Sequence, residues 1–209
     1  MKTILLVATT NSKKLKELQK LLANLPVELK DLKSLSHFKE VVEDGKSFQE
    51  NAAKKALGYA SQSGWLTLGE DSGLCCDALE GAPGIYSARF SGPNSTDQKN
   101  NEKILKLFEK IPDNCRGAKF VSAIALAVPG KVLTVVQDEV RGFIHRESVG
   151  SQGFGYDSLF YYPDFKTTFA NVASEKKDAV SHRAKALLKA KKFLSSYLQK
   201  ISPNSIPTA

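Results

Sequence analysis

A chain of 209 residues with 42% hydrophobic and 25% charged residues can bury a substantial core and is too apolar for general disorder. Its 30 Lys+Arg against 22 Asp+Glu leave a net charge of +8, which favours an anionic partner: nucleic acid, an acidic surface or a phosphorylated small molecule. No apolar run is long enough to span a membrane, and Asn11 and the lysines around it interrupt the start before a signal-peptide core forms. Three cysteines, Cys75, Cys76 and Cys115, give neither a disulfide framework nor a Cys-x-x-Cys pair. The expectation is a cytoplasmic protein with one domain over residues 1–201, followed by a fraying tail over 202–209 that holds two prolines and no periodicity.

Residues 3–8 form a continuous apolar run of strand length, and a polar turn then leads to Leu15, Leu18, Leu21 and Leu22 at helical spacing. The Ser-x-x-Glu spacing of Ser47 and Glu50 predicts a helix that starts near Ser47 and carries Ala52, Ala53, Ala56, Leu57 and Ala60. Residues 65–68 are the next strand, expected to give way to a loop at Glu70-Asp71. Residues 80–97 read as an ordered loop rich in Gly, Pro, Ser and Asn. Ile104, Leu105, Leu107 and Phe108 suggest a helix. Residues 120–128 and 132–140 flank Pro129-Gly130 as a hairpin, so part of the sheet is antiparallel. Residues 143–152 carry no clear pattern, and 157–161 predict a short strand. Ala184, Leu187, Ala190, Leu194 and Leu198 mark a closing helix whose lysines, from Lys185 to Lys200, read as a solvated face.

Five segments carry candidate chemistry. Thr9-Thr10-Asn11-Ser12-Lys13-Lys14 lies between the first strand and the first helix, where free backbone amides, a hydroxyl and an ammonium suit an anion; from this segment alone, helix capping by Asn11 or Ser12 with Lys13 and Lys14 solvated is the favoured reading. It lacks the glycines of a Walker or dinucleotide loop. Glu50 could serve a metal or could only cap its helix and pair with Lys54. Asp71, with Glu70 in support, is the second acid; Mg2+ asks for few carboxylates, several waters and phosphate oxygens, whereas Asp-Ser-Gly is also common turn chemistry. Gly153-Phe154-Gly155-Tyr156-Asp157 could present an aromatic face to a flat ligand, or its aromatics could be core. Ser181-His182-Arg183, with Lys177 just before it, could read a base edge or phosphate, although a lone His beside an Arg is usually surface.

The order of these segments resembles the inosine triphosphate pyrophosphatase family, whose members remove non-standard purine nucleotides. The likeness runs from Thr3 to Leu198 through Ala8-Thr9-Thr10-Asn11-Ser12-Lys13-Lys14, Ser47-Phe48-Gln49-Glu50-Asn51-Ala52 with Lys55-Ala56, Glu70-Asp71-Ser72-Gly73-Leu74, Gly81-Ala82-Pro83-Gly84-Ile85-Tyr86-Ser87-Ala88-Arg89, Phe154-Gly155-Tyr156-Asp157 and Ser181-His182-Arg183. The resemblance implies an α/β, two-lobed fold around a long mixed β-sheet with flanking helices, a substrate cleft between the lobes, and a homodimer. It implies Mg2+-dependent hydrolysis of inosine, deoxyinosine or xanthosine triphosphate to the monophosphate and pyrophosphate. Thr9, Asn11 and Lys14, within the segment that also holds Thr10, Ser12 and Lys13, would hold the phosphates with Lys55 nearby. Glu50 and Asp71 would serve the metal, and Asp71 would accept the proton. Ser72 would contact substrate, Phe154 would stack on the purine with Gly155, Tyr156 and Asp157 completing that wall, and Lys177, His182 and Arg183 would contact base or phosphate. Thr10 and Lys13 stand where the commonest bacterial pattern has glycines, Glu70 where it has aspartate, Ser158 where it has proline, and Lys176-Lys177-Asp178 alters a usual triplet.

Two rivals remain on the sequence. A basic nucleic-acid-binding domain would explain the charge but not the acids that accompany the lysines, and no membrane or nucleic-acid partner is expected. A general nucleotide phosphatase would release orthophosphate instead of pyrophosphate.

Overall fold

The computed structural model describes residues 2–201, so the tail expected over 202–209 lies outside the described residues. The chain forms a mixed sheet of seven strands in the order β2-β1-β3-β4-β5-β6-β7. These are β1 (Thr3–Ala8), β2 (Val27–Asp31), β3 (Leu66–Cys76), β4 (Gly117–Val128), β5 (Lys131–Ile144), β6 (Phe160–Tyr162) and β7 (Thr167–Thr168), with helices α1 (Ser12–Leu22), α2 (Phe48–Ser63), α3 (Asp97–Leu107), α4 (Ser174–Asp178) and α5 (His182–Ile201). β1 pairs in parallel with β2 and β3, while β6 pairs antiparallel with β5 and β7. β4 and β5 are neighbours joined by Pro129-Gly130 alone, and a two-residue connection permits only an antiparallel pair. Gly130 takes φ +77° there, a conformation that suits a residue without Cβ.

The chain divides into two compact units. The first comprises Met1–Asp71, Ala123–Gln137 and Ala186–Ala209, the second Ser72–Ser122 and Asp138–Lys185, so that β3, β4 and β5 each contribute a segment to both.

In the first unit β1 is buried on both faces, which explains its unbroken apolar run. Leu5 and Val7 join a core with Leu18, Leu22, Leu66, Leu68, Ile124, Leu126, Leu187 and Leu194; Leu6 and Ala8, on the alternate face, pack with Leu32 and Tyr59. α2 begins at the expected place, with the Ser47 hydroxyl accepting from the Glu50 amide at 3.2 Å. It lies so close to β3 that a Cβ on Gly69 would meet the Ala52 carbonyl oxygen at 2.5 Å and the Ala56 nitrogen at 2.6 Å. In the second unit Leu74, Ile104, Phe108, Phe120, Tyr156, Phe160 and Phe169 form the core, with the Phe120 and Phe160 ring centroids 4.5 Å apart.

Several expectations need correction. β3 does not end at Glu70-Asp71: it continues to Cys76, because Leu74 and Cys76 bury in the second unit's core and extend the strand beyond the polar residues. Asp157 is in a turn rather than a strand, and the strand begins only at Phe160. β2, β7 and α4 are elements that periodicity did not signal, each being five residues or fewer. No described helix is long and apolar enough to cross a membrane.

Candidate functional site

The first unit assembles its polar cluster from the end of β1, the starts of α1 and α2, and the middle of β3. Asn11 caps α1, its side-chain oxygen accepting from the Lys13 and Lys14 amides at 3.0 and 3.1 Å, and Thr9 Oγ1 accepts from the Asn11 amide at 3.2 Å. Thr10, Ser12 and Lys13 are exposed. The cap turns the Lys14 side chain onto β3, where Nζ lies 3.0 Å from Glu70 Oε2, a carboxylate that is 1% exposed. Lys55, one turn into α2 from Asn51, sets its Nζ 2.8 Å from Glu43 Oε2 and 3.1 Å from the Glu70 carbonyl oxygen.

Asp71 follows on β3, buried to 8% exposure, and is held by Asn51, whose Nδ2 donates to Asp71 Oδ2 at 3.0 Å while its Oδ1 accepts from the Gly45 amide at 2.7 Å. Burial raises the Asp71 carboxyl above the ordinary carboxylate range; Lys14, the Asn51 hydrogen bond and Lys55 pull against that rise, and Glu43 adds to it. Glu50 is exposed in the first turn of α2 and accepts from the Lys46 amide at 2.8 Å. It is not paired with Lys54 as the spacing suggested, because Lys54 reaches Asp44 at 2.5 Å instead.

Among the described residues no group of three or more His, Cys, Asp or Glu forms a metal cage. A hydrated Mg2+ needs less than that, one or two carboxylates with water and phosphate completing its shell. Asp71 fits this demand: it is a hard oxygen donor whose negative charge burial disfavours and a cation would restore. Glu50 offers a second oxygen donor at the residue before Asn51.

The second unit builds a different cluster. Phe154 is half-buried, with Lys177 Nζ 5.0 Å and Arg183 Cζ 5.5 Å from its ring centroid. Lys177 is buried and ion-paired to Asp157, and the same Asp157 Oδ2 accepts from the Phe154 amide at 2.9 Å. Ser181 Oγ accepts from the Ala184 amide at the start of α5, which carries His182 and Arg183 inward. Both are buried, at 4% and 2% exposure, which overturns the surface reading of this pair. His182 stacks on Phe120 with centroids 4.8 Å apart, and an Arg183 Nη donates to Ser72 Oγ at 3.1 Å. Tyr156 is core, its hydroxyl donating to the Ser87 carbonyl at 2.7 Å, so only its backbone can meet a ligand. Gly155 has φ +63°, a left-handed bend that aims the preceding ring.

Two residues escaped the sequence reading as participants. Asn51 was legible only as a helix residue, although an amide directly after the capping glutamate is an unusual choice for a buried position. Glu43, the partner of Lys55, lies in a segment without periodicity and left no signal.

Acids and ammonium groups converge in one unit, and an aromatic face is overlaid by two cations in the other. The protein is α/β, and each unit carries its own polar cluster: the first suits an anionic group, the second a flat ring. A profile of the Ham1 family matches residues 5–193, and the chain belongs to that family. It is 47% identical over 191 residues to the dITP/XTP pyrophosphatase of Desulforamulus reducens, covering 91% of this chain and 95% of that one. It is 46% identical over 185 residues to the protein of the same name from Geobacter sulfurreducens, covering 88% and 93%. Among solved structures, a HAM1 protein from Coxiella burnetii superposes with a TM-score of 0.85 at 36% identity over 93% of this chain and 99% of that one.

Proposed function

We infer that this protein hydrolyses non-standard purine nucleoside triphosphates, the inosine, deoxyinosine and xanthosine forms, to the monophosphate and pyrophosphate. The observation that carries the reading is Asp71, a buried carboxylate of raised pKa held by Asn51 among Lys14 and Lys55, in a chain whose relatives bear the name dITP/XTP pyrophosphatase.

The chemistry follows from charge. A triphosphate repels an attacking oxygen nucleophile, so its oxygens must be neutralised before water can reach phosphorus. Lys14 and Lys55 supply positive charge in the first unit, and Thr9 and Asn11 supply polar groups of the same segment as Lys14. Mg2+, held through Asp71 and Glu50, would screen the phosphate oxygens and stabilise the pyrophosphate as it departs. Asp71 takes a proton from the attacking water as the water oxygen bonds to the α-phosphorus; the bond from that phosphorus to the bridging oxygen breaks, and the electron pair leaves with pyrophosphate. A carboxylate whose pKa burial has raised is a better base than an exposed one.

The second unit's cluster suits the purine. Phe154 offers its ring for stacking, and Arg183 and His182 offer donors to a 6-keto oxygen. Adenine presents an amino donor to those donors and is disfavoured, by ~10^4 in sites built to bond one group. The protein acts as a cytoplasmic homodimer on the free nucleotide pool, keeping such nucleotides out of DNA and RNA.

The test is one panel: purified protein, Mg2+, inosine, xanthosine, adenosine and guanosine triphosphates, and identification of the released phosphate. Pyrophosphate from the first two supports the reading. Orthophosphate would assign a general phosphatase, and salt-sensitive DNA binding without turnover would assign a nucleic-acid binder. Light scattering at twice the chain mass supports the dimer.

A further inference from the structure

We propose that Asp97 and Asn101, one turn apart on α3, are positioning residues for base recognition: together they clamp both backbone polar groups of Gly155 and thereby fix the ring of Phe154. The proposal rests on the purine reading of the second unit's cluster and adds to it two residues that act on the loop backbone.

The geometry is specific. Positions i and i+4 share one helix face. Asp97 Oδ2 accepts from the Gly155 amide at 2.9 Å, and Asn101 Nδ2 donates to the Gly155 carbonyl at 3.0 Å, with Ser158 Oγ at 3.4 Å. The preceding peptide is held from the other side, the Phe154 amide by Asp157 Oδ2 at 2.9 Å and the Phe154 carbonyl by the Asp157 amide at 3.2 Å. All four backbone polar groups of Phe154 and Gly155 are therefore engaged. Gly155, at φ +63°, is a joint that without these bonds could swing the ring.

The burial of Asn101 strengthens the case. It is 9% exposed, and its Oδ1 has no hydrogen-bond partner among the described residues. An unsatisfied buried oxygen is costly, and an apolar residue would avoid it. What an apolar residue would lose is the donor to Gly155. The reverse orientation of the amide would set oxygen against the Gly155 carbonyl, so the hydrogen-bonding pattern fixes which end of the side chain faces the loop.

α3 extends the same grip to β3. Next to Asn101, Asn100 Nδ2 donates to the Ser87 and Ala88 carbonyls at 3.3 Å, and Ser87 also accepts the Tyr156 hydroxyl at its carbonyl. Ser87 Oγ in turn accepts from the Leu74 amide at 2.9 Å, two residues beyond Ser72. Gly73 permits this approach, since a Cβ there would stand 2.9 Å from that of Ser87. A buried polar network of this kind, whose links run from Asn100 through Ser87 to Tyr156 and Leu74, holds a loop to one conformation.

The experiment pairs kinetics with hydrogen exchange on the full-length protein. Asp97 is exposed, so Asp97→Ala folds, and Asp97→Asn keeps an acceptor for the Gly155 amide. In Asp97→Ala the Gly155 amide should exchange about tenfold faster than in the unaltered protein, and KM for inosine triphosphate should rise about tenfold with kcat within twofold. Asp97→Asn should restore both. Asn101→Asp, which replaces the donor with a carboxylate facing a carbonyl, should raise KM further and narrow the preference for inosine over adenosine triphosphate. Unchanged Gly155 exchange in Asp97→Ala overturns the clamp, as does a loss confined to kcat. If the unaltered protein turns over no purine triphosphate, the purine reading fails by itself, and the exchange measurement still decides the clamp.

Discussion

Lys177 Nζ sits 2.6 Å from Asp157 Oδ2 with both side chains buried, and the ammonium lies over the Phe154 ring. A cation and an anion withdrawn from water are tolerated only as a pair, so removing one leaves the other uncompensated. Lys177→Met should lower the unfolding free energy by about 3–5 kcal/mol, read from urea denaturation. The double variant Lys177→Met, Asp157→Asn should recover a large part of that loss, because no isolated charge is left behind. A double variant no more stable than Lys177→Met would mean that the pair is not what makes the single change costly.

Asp71 gives a prediction with a sign. Burial lifts its carboxyl above the unfolded value of about 3.9, so the folded state binds that proton more tightly than the unfolded chain does. The resulting stabilisation is complete below the unfolded pKa and is lost as pH rises through the folded one; above it, the ionised group weighs against folding. In metal-free protein Asp71→Asn should therefore gain stability relative to the parent as pH climbs from about 4 towards neutrality, and the difference should then level off. Thermal unfolding across pH without divalent ions measures this. The same variant should lose pyrophosphate release by about 10^2–10^4 at saturating Mg2+, and near-parental turnover would remove Asp71 as the base.

How much of this arrangement could be read in the residues depended on the range of the interactions involved. β1, α1 and the start of α2 are set by local patterns, an apolar run, a spaced leucine series and a Ser-x-x-Glu cap, and they fall where those patterns place them. The end of β3 is not local: Glu70, Asp71 and Ser72 look like a strand terminus until Leu74 and Cys76 find a core drawn from residues 104–169. The burial of His182 and Arg183 has the same origin, since Phe120 lies about sixty residues from His182 and Ser72 lies 111 residues from Arg183 in sequence. Of the site, the polar segments were legible and their partners were not. Asn51 holding Asp71, Glu43 holding Lys55, and α3 holding Gly155 are all tertiary choices with no sequence period behind them.

Gly69 tests the packing that lets Asn51 reach Asp71. Its Cα stands against the backbone of α2 at Ala52 and Ala56, where neither contacting atom can rotate away. Gly69→Ala should cost about 1–3 kcal/mol or more, through forced separation of the helix from β3. The Asn51–Asp71 hydrogen bond should lengthen with it, so kcat falls even at temperatures where the variant stays folded. Thermal unfolding and kcat measured together check this; a variant with parental stability would show that the helix shifts at no cost.

Arg183 carries the last prediction, because it joins Ser72 at the end of the acidic segment to the ring of Phe154. A guanidinium offers a planar fork of donors, and one Nη is committed to Ser72 Oγ, which fixes the plane of the rest. A 6-keto oxygen can accept from that fork and an amino group cannot. Arg183→Ala should reduce the ratio of kcat/KM for inosine over adenosine triphosphate by about 10–100-fold, chiefly through the inosine substrate. Arg183→Lys keeps the charge but has no fork, so it should retain phosphate attraction and salt dependence while still losing most of the discrimination. If the lysine variant discriminates as well as the parent, positive charge alone selects the base and the directional reading of Arg183 is wrong.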